Sequence, residues 1–155
     1  MTDEPAGHVE ELSSSACWEL LRTARVGRLA VWVDDHPDIF PVNHIVDHGT
    51  LVFRTAEGTK LAAALSETPV ALEIDGYDEG AAKAWSVVVR GRAEQIQRPQ
   101  ELMDTMDLPL LPWQAGRKGI LVRIVPELVT GRRFPIADPE VWRTPFSGVR
   151  RAPSE

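Results

Sequence analysis

The stretch Phe53-Arg54-Thr55-Ala56-Glu57-Gly58-Thr59-Lys60 places two cations and two hydroxyls where a strand-like run gives way to a helical one, Leu61 to Leu65. Amide N–H groups at a helix start have no intrahelical acceptor, and the helix dipole favours an anion there. Arg54 and Lys60 add full charges, Gly58 lets the backbone come close, and Thr55 and Thr59 can donate hydroxyl hydrogens. The chemistry expected of such a junction is phosphate binding. The glycine spacing of a Walker loop is absent. The same residues also suit a solvated strand-to-helix turn, so the flanking chain has to decide.

Other residues could border such a site. Pro41, Val42 and Asn43 lie on a strand-like run in which a polar residue interrupts an apolar pattern, and a buried Asn must satisfy its amide somewhere. A turn or bulge closed by Asn43 is the plain alternative. His44 follows directly and could serve as a proton donor or as core packing. His36 and His48 fall in expected turns beside Asp35 and Asp47, without the spacing of a metal pair on one helix face, so no metal site is expected. Five tryptophans against one tyrosine point to wide indoles filling barrel mouths or a subunit seam. Trp85 and Trp113 could also border a planar ring. Arg132 and Arg133 end the last strand-like run, where a solvent-exposed pair is the plain reading. The single cysteine, Cys17, sits among Ala16, Trp18, Leu20 and Leu21 and reads as a small apolar core thiol. No Gly-x-Ser-x-Gly elbow, Rossmann glycine pattern or paired acid–base carboxylates stand out, so no catalytic side chain is assigned.

The elements that must position these residues follow from periodicity. Residues 1–11 read as a mobile polar lead-in. Serines 13 to 15 offer an N-cap to a helix through Thr23, with Ala16, Cys17, Leu20, Leu21 and Ala24 at helical spacing. From Arg25 the period changes to that of strands: about Val26–Val33 and Ile39–Ile45, then Thr50–Arg54 after the turn Asp47-His48-Gly49. A short helix, Thr59 to Ser66, precedes the strand Val70 to Asp75, and Gly76 to Lys83 reads as a polar connection. Trp85 to Gln97 is the longest strand signal, with Gly91 placed for a bulge. Pro99 to Met106 reads as a helix, followed by a proline-rich loop and the strands Ile120 to Val125 and Glu127 to Arg133. Residues 12–134 thus form one mainly β domain, an antiparallel barrel capped by helices. Residues 135–155 form a tail or an arm on a partner, with Trp142 and Phe146 favouring the arm.

Composition narrows the function classes. At 155 residues the chain suits a single core, and its formal net charge of −6 and pI near 5.2 argue against nucleic-acid or membrane-surface partners. No apolar run is long enough to span a bilayer, and Met1-Thr2-Asp3-Glu4-Pro5 does not open like a signal peptide, so a cytoplasmic location is expected.

Taken in order, Val26-Gly27-Arg28-Leu29-Ala30-Val31, Pro41-Val42-Asn43-His44, Phe53-Arg54-Thr55, Gly58-Thr59-Lys60-Leu61 and Trp85-Ser86-Val87-Val88-Val89-Arg90-Gly91 closely resemble the pyridoxamine 5'-phosphate oxidase-like family of FMN-binding split β-barrels. The resemblance spans about Leu12 to Phe134. It implies that Arg54 to Lys60 hold the phosphate of FMN, or of a deazaflavin coenzyme, at the interface of a homodimer. It also implies that Pro41 to Asn43 run beside the isoalloxazine ring and that Arg132 approaches the ring from the second subunit. The Arg-Leu-His-Asp-Arg-type C-terminal segment of the true oxidase is missing, so vitamin B6 chemistry is not the expectation. The function implied is a flavin- or deazaflavin-dependent oxidoreductase acting on a small substrate. Its rivals are a module that stores or senses a flavin or tetrapyrrole, and a cofactor-free dimer.

Overall fold

The computed structural model describes residues 7–98, 100–101 and 119–136. In chain order these form β1 (Glu10–Glu11), α1 (Ser14–Thr23), β2 (Val26–Val33), β3 (His36–Asp47), β4 (Thr50–Thr55), α2 (Thr59–Ala64), β5 (Val70–Asp78), β6 (Lys83–Gln95) and β7 (Ile120–Pro135). Every pairing is antiparallel. The order β7-β4-β3-β2-β5-β6 closes on itself through β6 and β7, and β1 adds to the free stretch of β7. On the edge of β7 away from β6, Ile120 to Ile124 pair with β4, and Arg132 and Arg133 pair with β1. The ladder between them is where the barrel splits.

Alternation along the strands fills this barrel. Leu29 and Val31 of β2, Val42 and His44 of β3, Leu51 and Phe53 of β4, and Val87 and Val89 of β6 all point inward and are buried. Fully burying such an apolar side chain contributes about 1.5–3 kcal/mol, which makes this ring the main source of stability. Helix α1 packs on the split. Ser13 Oγ caps it by accepting from the Ala16 N–H at 3.1 Å, and Cys17 and Leu21, one turn apart, enter the core. A smaller cluster lies outside the barrel, where the Ile96 N–H donates to the Leu121 carbonyl at 2.9 Å and its side chain covers Val52 and Leu121.

Gly91 is required by close approach. A Cβ there would meet the Val125 carbonyl oxygen at 2.1 Å, and the register slips between Arg90 and Gly91, opposite Pro126. Proline cannot donate to a ladder, so the bulge absorbs the missing hydrogen bond and bends the two longest strands.

Several sequence expectations change. The two strands expected at Ile120–Val125 and Glu127–Arg133 are one, because the bulge carries the ladder past Pro126. The expected connection Gly76 to Lys83 shrinks to a hairpin turn, because Gly76, Tyr77 and Asp78 pair with Trp85, Ala84 and Lys83. The expected lead-in gives way at its end, where Glu10 and Glu11 pair with Arg133 and Arg132. Of the helix expected over 99–106, residues 100 and 101 are helical. Its remaining residues, the proline-rich loop with Trp113, and the segment beyond 136 with Trp142 and Phe146 lie outside the described residues.

Candidate functional site

The Arg54 side chain sits where β4 is about to end. Arg54 faces the outside of the barrel opposite Leu121, whereas its neighbours Phe53 and Thr55 face inward. The last β3–β4 pair is His44 with Phe53, so the next positions along the two strands, Asn43 and Arg54, share the outer face. Arg54 Nε is buried without a hydrogen-bond partner, and Arg54 makes no ion pair with the described residues. Its neighbours are committed elsewhere. Arg28, opposite Pro41, binds Glu73 at 2.8 Å and Asp75 at 3.0 Å, and Arg123 binds Asp47 at 3.0 Å.

Beyond β4 the chain turns at Gly58, whose φ of 152° is a conformation open to glycine alone. The first intrahelical bond of α2 runs from the Ala62 N–H to the Gly58 carbonyl, leaving the amides of Thr59, Lys60 and Leu61 without intrahelical acceptors. Thr59 is exposed. Lys60 Nζ lies 5.6 Å from the centre of the Phe40 ring on β3, a ring that packs on the barrel core. Thr55 does not join this set. It is 2% exposed, on the inner face, and its hydroxyl donates to the Ala56 carbonyl at 3.2 Å.

Along β3, Pro41 and Asn43 face outward and Val42 inward, so Val42 can offer an outer ligand only its backbone. His44 is buried beneath α1. Its Nε2–H donates to the Leu21 carbonyl at 3.0 Å, a proton position required because a carbonyl can only accept. Nδ1 is buried without a partner, and burial pushes the imidazole below its ordinary range, partly offset by the bond to Leu21. A histidine in this setting packs the core and offers no proton to an outer ligand.

Trp85 and Arg132 lie elsewhere. Trp85 lies over Gly76, where a Cβ would come within 2.6 Å of the indole, and packs on the barrel core. Arg132 faces outward opposite Ser86, donating to its hydroxyl at 3.4 Å and lying 5.9 Å from the centre of the Phe134 ring. It borders an open cavity of about 550 Å³ with Glu11, Leu12, Ser86, Val88 and Thr130 among its walls. From Leu121, beside Arg54, to Arg132 the path along β7 is roughly 35 Å. The structure therefore sets Asn43 and Arg54 side by side on the outer face with Pro41 on the same strand, starts α2 with Thr59 and Lys60 just beyond β4, and keeps Trp85 and Arg132 apart from Arg54 within one chain.

The residues present suit a phosphorylated planar cofactor: a buried guanidinium nitrogen without a partner lies on an outward strand surface, and a hydroxyl and a lysine follow it at the start of α2. Residues 13–133 match the family model described as pyridoxamine 5'-phosphate oxidase. The chain belongs to the pyridoxamine 5'-phosphate oxidase-like family. A relative, the uncharacterized protein Rv0080 of Mycobacterium tuberculosis, is 34% identical over 140 residues, covering 87% of this chain and 91% of its own. A solved structure from Corynebacterium glutamicum, a proposed pyridoxamine 5'-phosphate oxidase, is 40% identical with a TM-score of 0.77, covering 89% of this chain and 99% of its own. The FAD-binding protein of Mycobacterium smegmatis is 39% identical with a TM-score of 0.70, covering 81% of this chain and 98% of its own. The split β-barrel is thus the fold of the family as well as of this chain.

Two features escaped sequence reasoning. Ser86 meets Arg132 only through the β6–β7 register, and Phe40 meets Lys60 only through the β4–α2 turn. No local pattern signals either contact, because the partners lie far apart in sequence.

Proposed function

We propose that the protein binds a flavin nucleotide and works as an oxidoreductase on a small substrate. The observation that carries the reading is Arg54, whose Nε is buried without a hydrogen-bond partner near the end of β4, a few residues before Thr59 and Lys60 begin α2. A phosphate is the group that completes this set, with Arg54 and Lys60 supplying charge-assisted hydrogen bonds. The ring then lies along Pro41 to Asn43, where outward backbone and the Asn43 amide can meet its polar edge. The flavin supplies the hydride or electron chemistry, and the chain's own residues bind, orient and exclude water. FMN is the first choice. The FAD-binding relative from Mycobacterium smegmatis supports a flavin equally well in its longer form, and a deazaflavin presents the same phosphate.

Because Arg132 and Trp85 lie far from Arg54 in one chain, the reading includes a homodimer in which a second copy brings Arg132 over the ring. The outer faces of β2, β3 and β7 carry exposed Trp32, Ile39, Val125 and Leu128, apolar surface suited to burial against a twin. Absorbance and equilibrium titration of the purified protein with FMN, FAD and a deazaflavin test the reading. Saturable binding of one flavin per chain, lost in Arg54→Ala/Lys60→Ala, is the expected result. A Soret-type band from a bound tetrapyrrole, or unchanged binding in the double variant, would refute it.

A further inference from the structure

His44 is a buried group that the proposed chemistry leaves unused. Among the described residues the barrel interior holds two titratable side chains, Cys17 at 1% and His44 at 6% exposure. The inward residues around His44 are Cys17 and Leu21 from α1, Gly27 and Leu29 from β2, Val42 and Val46 from β3, and Leu51 and Phe53 from β4. Of these only Cys17 titrates, and burial pushes its thiol up, so it provides no counter-charge. Glu19, Arg22, Arg25 and Arg28 are exposed, and Asp47 and Arg54 face outward. His36 and Asp38 share the inner alternation of β3 but sit at its far end, roughly 20 Å along the strand.

His44 ties two elements together at that point. Its backbone N–H donates to the Arg25 carbonyl at 3.1 Å, just after α1, and its Nε2–H donates to the Leu21 carbonyl in the helix's last turn. It directly follows Asn43, the outward residue beside Arg54. Protonation would add an N–H at Nδ1 with no acceptor and a charge with no partner, in an interior that solvates neither. The group can relieve both only by leaving its place, which breaks the bond to Leu21.

We infer that His44 is a positioning residue for the cofactor strand: neutral, it clamps α1 to β3 beside Asn43, and protonated, it releases both, so that flavin retention weakens in mild acid. The coupling to flavin rests on the proposed function, whereas the clamp itself does not. The sign follows from the direction of the shift. A histidine held below its ordinary value of 6.5 in the folded state gives full stability above that value and loses it as pH falls. For a single proton the change is limited to about tenfold per pH unit.

Hydrogen–deuterium exchange of the α1 amides in the flavin-free full chain, at pH 7.5 and 5.5 and corrected for intrinsic exchange, tests the clamp. Flavin plays no part in that measurement. Protection should fall severalfold in the wild type, with a ceiling of about tenfold for one proton released into a state of ordinary pKa, and change less than about twofold in His44→Gln, which keeps a donor but cannot titrate. FMN titration at the same two pH values tests the coupling. The dissociation constant should rise about fivefold more in the wild type than in His44→Gln, the phosphate's own ionisation being common to both. Unchanged α1 protection in the wild type overturns the clamp, and equal FMN pH profiles overturn the coupling. If the wild type binds no FMN at pH 7.5, the flavin reading and the coupling fall together, and exchange alone judges the clamp. If His44→Gln does not fold, histidine NMR of the wild type replaces it, and a His44 signal titrating at or above 6.5 overturns the inference.

Discussion

Replacing Arg54 by methionine should separate what the residue does for the fold from what it does for the ligand. Arg54 Nε is buried without a partner, and the side chain makes no ion pair with the described residues. An unmade buried donor costs about 1–3 kcal/mol. Arg54 is half-buried, so the lower end of that range applies. Methionine keeps much of the packing against Leu121 without the donor. The flavin-free protein should therefore hold its stability or gain up to about 1 kcal/mol. With ligand the sign reverses. Losing a charge-assisted hydrogen bond worth about 1.5–3 kcal/mol raises the dissociation constant about ten- to a hundredfold. With flavin at a hundred times the wild-type constant, binding stabilises the wild type by about 2.7 kcal/mol. A variant that binds thirtyfold more weakly retains about 0.9 kcal/mol of that. Urea unfolding with and without FMN, analysed at constant m-value, reads both effects. A flavin-free Arg54→Met variant destabilised by more than about 1 kcal/mol would show that Arg54 is a structural residue, and the phosphate assignment would lose its main support.

Further outcomes follow from the barrel. Gly91→Ala should cost about 3 kcal/mol or prevent closure, because the new methyl group meets the Val125 carbonyl backbone, and urea unfolding measures it; a loss under about 1 kcal/mol would contradict the bulge geometry. Burial raises the Asp47 carboxyl, but the hydrogen bonds and charges of Arg123 and His48 outweigh it and hold the pKa below 3.8. Stability from that group is therefore complete above about pH 4 and lost as pH falls through the lowered folded value, so Asp47→Asn should flatten the acid limb of the stability–pH curve. An unchanged acid limb would contradict the Arg123–Asp47 pairing. Ser13→Ala should cost about 1 kcal/mol through loss of the cap on the Ala16 amide, read by thermal unfolding, and a neutral substitution would place α1's support wholly in Cys17 and Leu21.

Much of the fold was legible because inward alternation and turn residues agree locally. The run Val87, Val89, Gly91 on β6 announces a strand with a bulge, and Ser13 announces the start of α1. What stayed hidden depends on register. Pro126 reads as a strand break until Gly91 opposite it is seen to absorb the defect. Gly76 reads as a loop residue, yet it is the one position where the β5 backbone can pass beneath the Trp85 indole. In the candidate site the charges of Arg54 and Lys60 were legible from their type and spacing, whereas the inward turn of Thr55 was not. Strand alternation beginning at Phe53 places Thr55 on the core side, and the hydroxyl's chemical suitability concealed that geometry. For His44 the sequence leaves a proton donor and core packing both open, and only α1 closing over it decides for the core.

In the proposed dimer a flavin is held between two copies of the chain, with Arg54 from one and Arg132 from the other. The most direct test is to co-refold Arg54→Ala chains with Arg132→Ala chains and count bound FMN by equilibrium titration. Each variant alone should bind weakly in both of its sites. In a mixed dimer one site carries both substitutions and the other carries neither, so random pairing should restore wild-type affinity to about a quarter of all sites. No recovery on mixing, with each variant folded and dimeric, would place Arg54 and Arg132 outside a common site and contradict the shared-flavin account.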